Sequence, residues 1–348
     1  MNKKIIVSFI TGLLVGILIL YIPPFLKSDT LITPLSNSSN QPVAKPLNKY
    51  TFQNLKNRSY QASYITLGDQ IADNPIYSSY IFYFNSDGKK VAGLANIPKN
   101  IKNAPVIIMI RGFVDKNFYT TGTGTQHAGE VLAENGYITL APDFLGYGRS
   151  DNPSKNVMEE RFQTYTAVLN LLASLKNLPS VLSTLSTPSS GGSISTGANT
   201  NNVGLWAHSN GGQIALSILA ISGKDYPTVL WAPVSKPFPY SILYYTDEFD
   251  DHGKLLRKAV ADFEKDYDAE KYSPPNYFKW IKAPIQLHQG SQDDAVPQKW
   301  SDDLYKTLKD LNIDITYFTY PGQDHNFANG SWNTVINRNI VFFDDKLK

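Results

Sequence analysis

The feature that most constrains this chain is a serine placed between an apolar run and a helix-forming run, in Val203-Gly-Leu-Trp-Ala-His-Ser-Asn-Gly-Gly212. Two small residues, Ala207 and Gly211, lie two positions to either side of Ser209. They leave room for a tight turn from a strand into a helix, which exposes a serine hydroxyl at the edge of a sheet. The segment therefore predicts that Ser209 is a nucleophile. Taken alone, it also allows the alternative of a simple N-cap serine at a helix start.

The pattern after residue 98 indicates the fold, because short apolar runs alternate with longer amphipathic stretches. Strands separated by helices need crossover connections, which favour a mostly parallel, twisted sheet flanked by helices. An antiparallel hairpin with its turn at Asp87-Gly88 is expected to precede this part. The sequence therefore predicts an α/β fold. Its strands are expected at 106–110, 137–141, 203–207, 228–232, 285–288 and 313–320.

A serine nucleophile needs a base, and the chain contains five histidines. His325 lies in the polar loop Tyr320-Pro-Gly-Gln-Asp-His-Asn-Phe327, where an imidazole can reach the sheet edge that carries Ser209. We predict that His325 is the general base. The other four fit this role poorly, since His127 begins a helix, His208 is expected to point away from Ser209, His252 lies in an insertion and His288 lies within a strand.

The orienting acid is expected in His288-Gln-Gly-Ser-Gln-Asp-Asp-Ala-Val-Pro297, where a strand ends at a glycine turn and carries two carboxylates to the same edge. We predict Asp293, because a buried carboxylate would hold the imidazole of His325 in the required tautomer. The order serine, acid, histidine along the chain is then met. Asp294 stays open as an alternative. Asp324 is less favoured, because a sequence neighbour of a histidine rarely faces its ring.

Two backbone amides are expected to stabilise a developing oxyanion. The amide of Asn210 lies at the predicted helix N-terminus, directly after Ser209. The second donor should come from the loop after the strand 106–110, and we predict the amide of Phe113. Arg111-Gly112 begins this loop, where enzymes with a serine nucleophile on such a turn usually have a His-Gly pair.

The N-terminus predicts a membrane anchor at 1–27. The 22 residues from Ile5 to Leu26 carry no charge, and as a helix they would span about 33 Å, enough to cross a bilayer. Lys3 and Lys4 precede the run, so the N-terminus is expected in the cytoplasm and the remainder outside the cell membrane. The alternative is a cleaved signal peptide and a secreted protein.

The remainder divides into a flexible linker at 28–49 and a catalytic domain at 50–348. Residues 179–202 are rich in Ser, Thr, Gly and Asn, which predicts a flexible surface insertion. Residues 236–282 carry many aromatic side chains between two predicted strands, which predicts a small helical cap. Such a cap would shape a substrate pocket at the carboxyl edge of the sheet.

Composition excludes other classes of function. The net charge of +2 arises from 32 basic and 30 acidic residues, so a nucleic-acid partner is not expected. The chain has no cysteine and only five histidines, so neither disulfides nor the usual soft metal sites are expected. We expect no metal and no cofactor, with a small ester or a peptide as substrate.

From about Tyr80 onwards the chain resembles the catalytic domain of the prolyl oligopeptidase family, within the α/β-hydrolases. The resemblance rests on several motifs that occur in order along the chain: Asp87-Gly88 followed by Gly93 to Pro98, Leu140-Ala-Pro-Asp-Phe-Leu-Gly-Tyr-Gly-Arg-Ser150, the segment around Ser209, Ser273-Pro-Pro before Gly290 to Pro297, and Tyr320-Pro-Gly-x-x-His325. The resemblance implies an α/β-hydrolase fold. It places the family's serine, aspartate and histidine at Ser209, Asp293 and His325.

The resemblance also implies a serine hydrolase that forms an acyl-enzyme on peptide or ester bonds. The sequence shows neither the repeats of a propeller nor the paired glutamates of the dipeptidyl peptidase branch. A carboxylesterase or acyl esterase is therefore an open alternative. A non-catalytic binding module on the same fold is another, and Arg111 beside the expected oxyanion site is the only hint of it.

Overall fold

The computed structural model describes residues 44–185 and 197–348, and in these residues it contains a nine-stranded sheet. The strands lie side by side in the order β1-β2-β3-β5-β4-β6-β7-β8-β9. Their bounds are β1 Thr66–Asp73, β2 Tyr77–Ser86, β3 Lys89–Pro98, β4 Ala104–Ile110, β5 Ile138–Pro142, β6 Ala198–His208, β7 Thr228–Trp231, β8 Ile285–Gly290 and β9 Ile315–Tyr320.

The sheet is antiparallel at one side and parallel over the rest. Strands β1, β2 and β3 form an antiparallel unit, and β3 pairs antiparallel with β5. The turn between β2 and β3 has positive φ at both Asp87 and Gly88, as a two-residue hairpin turn requires. Strands β4 to β9 pair in parallel with their neighbours. The predicted α/β fold is thereby confirmed.

Helices cover both faces of the sheet in the described residues. They are α1 Phe52–Asn57, α2 Gln126–Glu134, α3 Val157–Ser174, α4 Leu178–Leu185, α5 Asn210–Ser222, α6 Tyr240–Leu243, α7 Lys254–Asp266, α8 Gln298–Asp310 and α9 Trp332–Leu347. Successive residues of a strand point to opposite faces. In β4, Ile108 joins the core that contains Phe162 of α3, whereas Ile107 joins the core that contains Val335 of α9. The central strands are thus buried on both faces of the sheet, which explains their uninterrupted apolar runs.

The segment predicted as a cap, 236–282, is helical and has two parts. The larger part includes α7 and packs beside α3, where Phe238, Phe263 and Tyr272 surround Phe162. The smaller part contains α6. There the hydroxyl of Tyr245 donates to the carbonyl of Ala295, 3.0 Å away, in the loop after β8. The larger part therefore belongs to the core. The smaller part contacts the loop in which the predicted acid, Asp293, lies.

Several predicted boundaries need correction. The compact unit begins at Lys45 rather than at residue 50, because a short 3-10 helix, Pro46–Tyr50, buries Leu47 and Tyr50. The predicted flexible insertion at 179–202 is too long, since α4 occupies its start and β6 begins at Ala198. Its middle lies outside the described residues, as does the predicted anchor at 1–27. Within the described ranges, no helix has the length and hydropathy needed to cross a bilayer.

Candidate active site

Ser209 stands on a strained turn between β6 and α5. Its φ of 58° and ψ of −124° lie outside the regions that a serine ordinarily occupies, at a cost of about 1–3 kcal/mol. The surrounding backbone enforces this conformation, because Ser209 N–H donates to Trp231 O and Val234 N–H donates to Ser209 O, both at 2.9 Å. A Cβ on Gly211 would lie 2.1 Å from the carbonyl oxygen of Ile110. Only glycine therefore lets the turn approach β4 this closely.

Asp293 lies in the loop after β8, and its side chain has no exposed surface. Its Oδ1 accepts from the amides of Ala295 and Val296 at 3.0 and 2.7 Å, and its Oδ2 accepts from Gln289 Nε2 at 2.9 Å. Burial opposes ionisation, but hydrogen bonds from His325, Val296 and Gln289 outweigh it and hold the pKa of Asp293 below its ordinary value. The carboxyl group is therefore ionised at neutral pH.

His325 lies in the loop after β9, with its Nδ1 atom 2.8 Å from Asp293 Oδ2. The two loops can meet because β8 ends in Gly290, where a Cβ would lie 2.4 Å from the carbonyl oxygen of Gln323. An ionised carboxylate can only accept, so Nδ1 carries a proton, and in the neutral form of the ring the basic nitrogen is Nε2. The structure thus places His325 and Asp293 together, with a basic nitrogen at the free end of the ring.

His208 connects Ser209 to His325 and was missed as a site residue from the sequence. Its ring lies 4.5 Å from the ring of His325, and its Nε2 atom lies 3.0 Å from the carbonyl oxygen of His325. Burial, together with the nearby His325, lowers the pKa of His208 to about 4, so this ring is neutral at pH 7. Because a carbonyl only accepts, Nε2 of His208 carries the proton and donates.

The structure links the serine to the imidazole of His325 through His208. In the part of the chain that the structure describes, no hydrogen bond joins Ser209 Oγ to His325. His208, which directly precedes Ser209, contacts both the ring and the carbonyl oxygen of His325. Catalytic hydrogen bonds are often long before substrate binds and shorten in the reactive complex. The arrangement is therefore compatible with proton transfer from Ser209 to His325.

The two predicted oxyanion donors belong to Asn210, which directly follows the serine, and to Phe113, which follows Gly112. The amide of Asn210 is the first of α5 and has no acceptor within the helix. Gly112 packs directly against the nucleophile, since a Cβ there would lie 2.9 Å from Ser209 Cβ. The side chain of the next residue, Phe113, is 73% exposed. The roles of Asn210 and Phe113 stay predictions.

Arg111 does not point into open space beside the serine. Its guanidinium is buried among the rings of Tyr119 and Tyr147, at 4.7 and 4.0 Å from their centroids. It donates to the carbonyl oxygens of Gly112 and Asp143, each at 2.9 Å. The residue that looked atypical in the sequence therefore braces the loop that carries Gly112.

The alternative acids and histidines do not take part in the contact between Asp293 and His325. Asp294 is exposed, and Asp324 Oδ1 accepts from the amides of Asn326 and Ala328 within its own loop. His288 is buried, with its ring bonded to Gln286 and Tyr320, and burial lowers its pKa to about 3. His127 packs against Trp332, and His252 is exposed.

Comparison with known proteins agrees with this geometry. Residues 195–348 match the Prolyl oligopeptidase family. A stretch of 94 residues is 31% identical to dipeptidyl aminopeptidase BIII of Pseudoxanthomonas mexicana, covering 27% of this chain and 14% of that protein. The chain therefore spans only a small part of the length of this relative.

Two solved structures illustrate the likeness of fold. The acylaminoacyl peptidase of Pyrococcus horikoshii has a TM-score of 0.56 at 20% identity, covering 78% of this chain and 42% of that one. Acetyl xylan esterase 1 of Thermoanaerobacterium sp. JW/SL YS485 has a TM-score of 0.52 at 15% identity, covering 86% and 94%. The chain is therefore an α/β-hydrolase-fold protein whose residues 195–348 match the prolyl oligopeptidase family.

Proposed function

We propose that this protein is a serine hydrolase that cleaves peptide or ester bonds through an acyl-enzyme. The observation that carries the proposal is the contact of His325 Nδ1 with the buried carboxylate of Asp293 at 2.8 Å, in loops that follow neighbouring strands at the sheet edge where the strained Ser209 also lies. A buried, ionised acid that fixes a histidine tautomer beside a serine turn is the arrangement that acyl transfer needs. The match of residues 195–348 to the prolyl oligopeptidase family supports the same reaction.

The proposed reaction uses only side chains and backbone of this chain. Ser209 Oγ attacks the substrate carbonyl while Nε2 of His325 takes the hydroxyl proton. Asp293 stabilises the resulting imidazolium, and the amides of Asn210 and Phe113 donate to the oxyanion. The imidazolium then protonates the leaving group, and water, deprotonated by the same nitrogen, releases the acyl group from Ser209.

Labelling with a fluorophosphonate probe tests the proposal. The native protein should be labelled, and Ser209→Ala should not. Ser217 offers a matched control, because it is buried in α5, the helix that follows Ser209, and its hydroxyl donates to Gln213 O. Ser217→Ala should keep the labelling. Absence of labelling in folded native protein would favour the non-catalytic binding module instead.

Esterase activity is the second candidate within this chemistry. The observation in its favour is the likeness to acetyl xylan esterase 1, of which this chain covers 94%, whereas it covers 42% of the acylaminoacyl peptidase. The same nucleophile serves amides and esters, so the pocket around it decides the substrate. Comparing p-nitrophenyl esters with proline-containing peptide anilides separates the two activities.

We also propose that the enzyme is tethered to the cell membrane through residues 1–27, with its catalytic domain outside. The uncharged run from Ile5 to Leu26 and the preceding lysines support this placement. Membrane fractionation tests it. The full chain should stay in the pellet after alkaline carbonate extraction, and a variant without residues 5–26 should not. Recovery of an intact, unprocessed chain in the soluble fraction would contradict the tether.

A further inference from the structure

Arg161 is a cation beside the nucleophile that the proposed mechanism does not use. It lies in the second turn of α3, and its guanidinium faces the start of α5, with Nη2 3.5 Å from Oδ1 of Asn210. Asn210 directly follows Ser209. Arg161, Ser209 and Asn210 each keep part of their surface accessible. Arg161 therefore lies, partly exposed, against the residue that follows the candidate nucleophile.

The guanidinium of Arg161 has no carboxylate partner among the residues that the structure describes. Its two acidic neighbours on α3 are each bound to a lysine, Glu159 to Lys49 at 2.8 Å and Glu160 to Lys116 at 2.9 Å. The contact with Asn210 is at the outer limit of a hydrogen bond and is made to a neutral amide. Among the described residues, no acidic side chain therefore balances the positive charge of Arg161.

A partly buried, unpaired charge is costly to maintain. Burial lowers the pKa of Arg161 from its ordinary value, yet a guanidinium stays charged at neutral pH. Removing a charge from water without a counter-charge disfavours the folded state. An anionic ligand would relieve this cost, and arginine matches a carboxylate especially well because it can form two parallel N–H···O bonds.

We propose that Arg161 binds a carboxylate on the substrate that Ser209 attacks, and so selects for acidic substrates. The inference rests on the proposed hydrolase function and adds the chemical class of the substrate. The carboxylate can belong to the acyl part or to the leaving group, and both sources present the same anion to Arg161. In either case it would replace the weak contact with Asn210 by a charged pair.

Two pairs of esters distinguish the sources. For the acyl side, the p-nitrophenyl monoester of glutarate is compared with its carbamoyl analogue, p-nitrophenyl 4-carbamoylbutanoate. For the leaving-group side, 4-acetoxybenzoate is compared with 4-acetoxybenzamide. In each pair the preference for the charged substrate is its kcat/KM divided by that of the neutral one. The full-length protein should prefer the charged member of at least one pair.

Variants then assign the preference to Arg161. Arg161→Gln should lower kcat/KM for that charged ester by about 10- to 100-fold and leave the neutral ester nearly unchanged. Arg161→Lys should keep part of the preference, because it keeps the charge. Arg149 offers a matched control, since it forms an exposed ion pair with Asp69, and Arg149→Gln should leave the preference as it is.

A third measurement needs no variant. Free glutarate should slow labelling of Ser209 by a fluorophosphonate in the native protein, and glutaramide should do so less. The inference is overturned if Arg161→Gln changes neither preference, if it lowers charged and neutral kcat/KM equally, or if glutarate and glutaramide act alike. If the native protein is labelled by the fluorophosphonate and any of these results is obtained, the role of Arg161 is overturned and the proposed hydrolase function stands. Loss of native labelling overturns the proposed function and the inference with it.

Discussion

The imidazole of His208 packs against that of His325, and its Nε2 atom donates to the carbonyl oxygen of His325 over 3.0 Å. The strand end that precedes the nucleophile thus holds the backbone of the candidate base directly. Because His208 is neutral, it adds no positive charge next to the imidazolium that His325 becomes during the proposed reaction. We therefore expect His208 to act as a positioning residue.

Replacing His208 should affect turnover more than substrate binding. His208→Leu removes the donor to His325 O, so the ring of His325 loses part of its orientation, and kcat should fall roughly tenfold or more with little change in KM. His208→Gln keeps an N–H donor and should retain more activity. Steady-state kinetics on a p-nitrophenyl ester measure both. Equal activity of His208→Leu and the native protein would show that this contact does not position the base.

The stability of the protein should fall in mild acid because of His208. Burial lowers its pKa from 6.5 to about 4, so between these pH values the unfolded chain binds a proton that the folded chain does not. The contribution of His208 to the free energy of unfolding is therefore fully present above pH 6.5 and is lost as the pH falls towards 4. Between pH 7.5 and 5 the free energy of unfolding should fall by about 2 kcal/mol more in the native protein than in His208→Gln. Urea unfolding at both pH values measures this difference, and parallel losses would contradict it.

Asp293 and its neighbour Asp294 provide a matched pair. Asp293→Asn would favour the wrong tautomer of His325 and leave the imidazolium without its counter-charge, so kcat should fall about 10³- to 10⁴-fold. Asp294 is exposed, and Asp294→Asn should leave kcat essentially unchanged. The kinetics of the two variants, checked for folding by circular dichroism, decide between the acids. A larger loss in Asp294→Asn would reverse the assignment.

The parallel strands β4, β7 and β8 could be located from the sequence because they are buried on both faces and lack the alternation of surface strands. The predicted strand at 106–110 lies within β4, Ala104–Ile110, whose residues are all buried. By contrast, β1 was not predicted, since nearly all of its residues are exposed and its pattern gives no hydrophobic period. The chain before residue 50 was assigned to the linker because only tertiary contacts, such as Tyr272 Oη donating to Leu47 O, fix it to the core.

The order of motifs along the chain indicated the candidate triad, because the strands of a parallel sheet end at one edge. Ser209, Asp293 and His325 each follow the carboxyl end of a strand. His208 and Arg161 could not be assigned in this way. His208 acts through the backbone of a loop 117 residues away, and Arg161 reaches Asn210 only because α3 packs beside α5. Neither contact leaves a local pattern in the sequence.

The close approach of Gly112 to Ser209 predicts a steric effect on catalysis. A methyl group at Gly112 would lie 2.9 Å from Ser209 Cβ and 3.4 Å from Oγ, so the loop must shift away from Ser209 and carry the predicted oxyanion donor, Phe113, with it. Gly112→Ala should therefore lower kcat about 100-fold. At Gly197 the nearest atom would be 3.5 Å away, which is an ordinary contact, so Gly197→Ala should be active. Rates of fluorophosphonate labelling compare the two, and full activity of Gly112→Ala would refute the effect.

Arg111 should matter for stability as well as for activity. Arg111→Met removes the contacts with Tyr119 and Tyr147 and leaves the carbonyls of Gly112 and Asp143 without their donor, which should cost about 2–4 kcal/mol. Arg111→Lys should not restore stability, because an ammonium cannot reproduce the planar set of donors. Urea unfolding gives the change in free energy, and labelling of Ser209 gives the activity. If Arg111→Met were as stable as the native protein and labelled as fast, Arg111 would not brace the loop beside the serine.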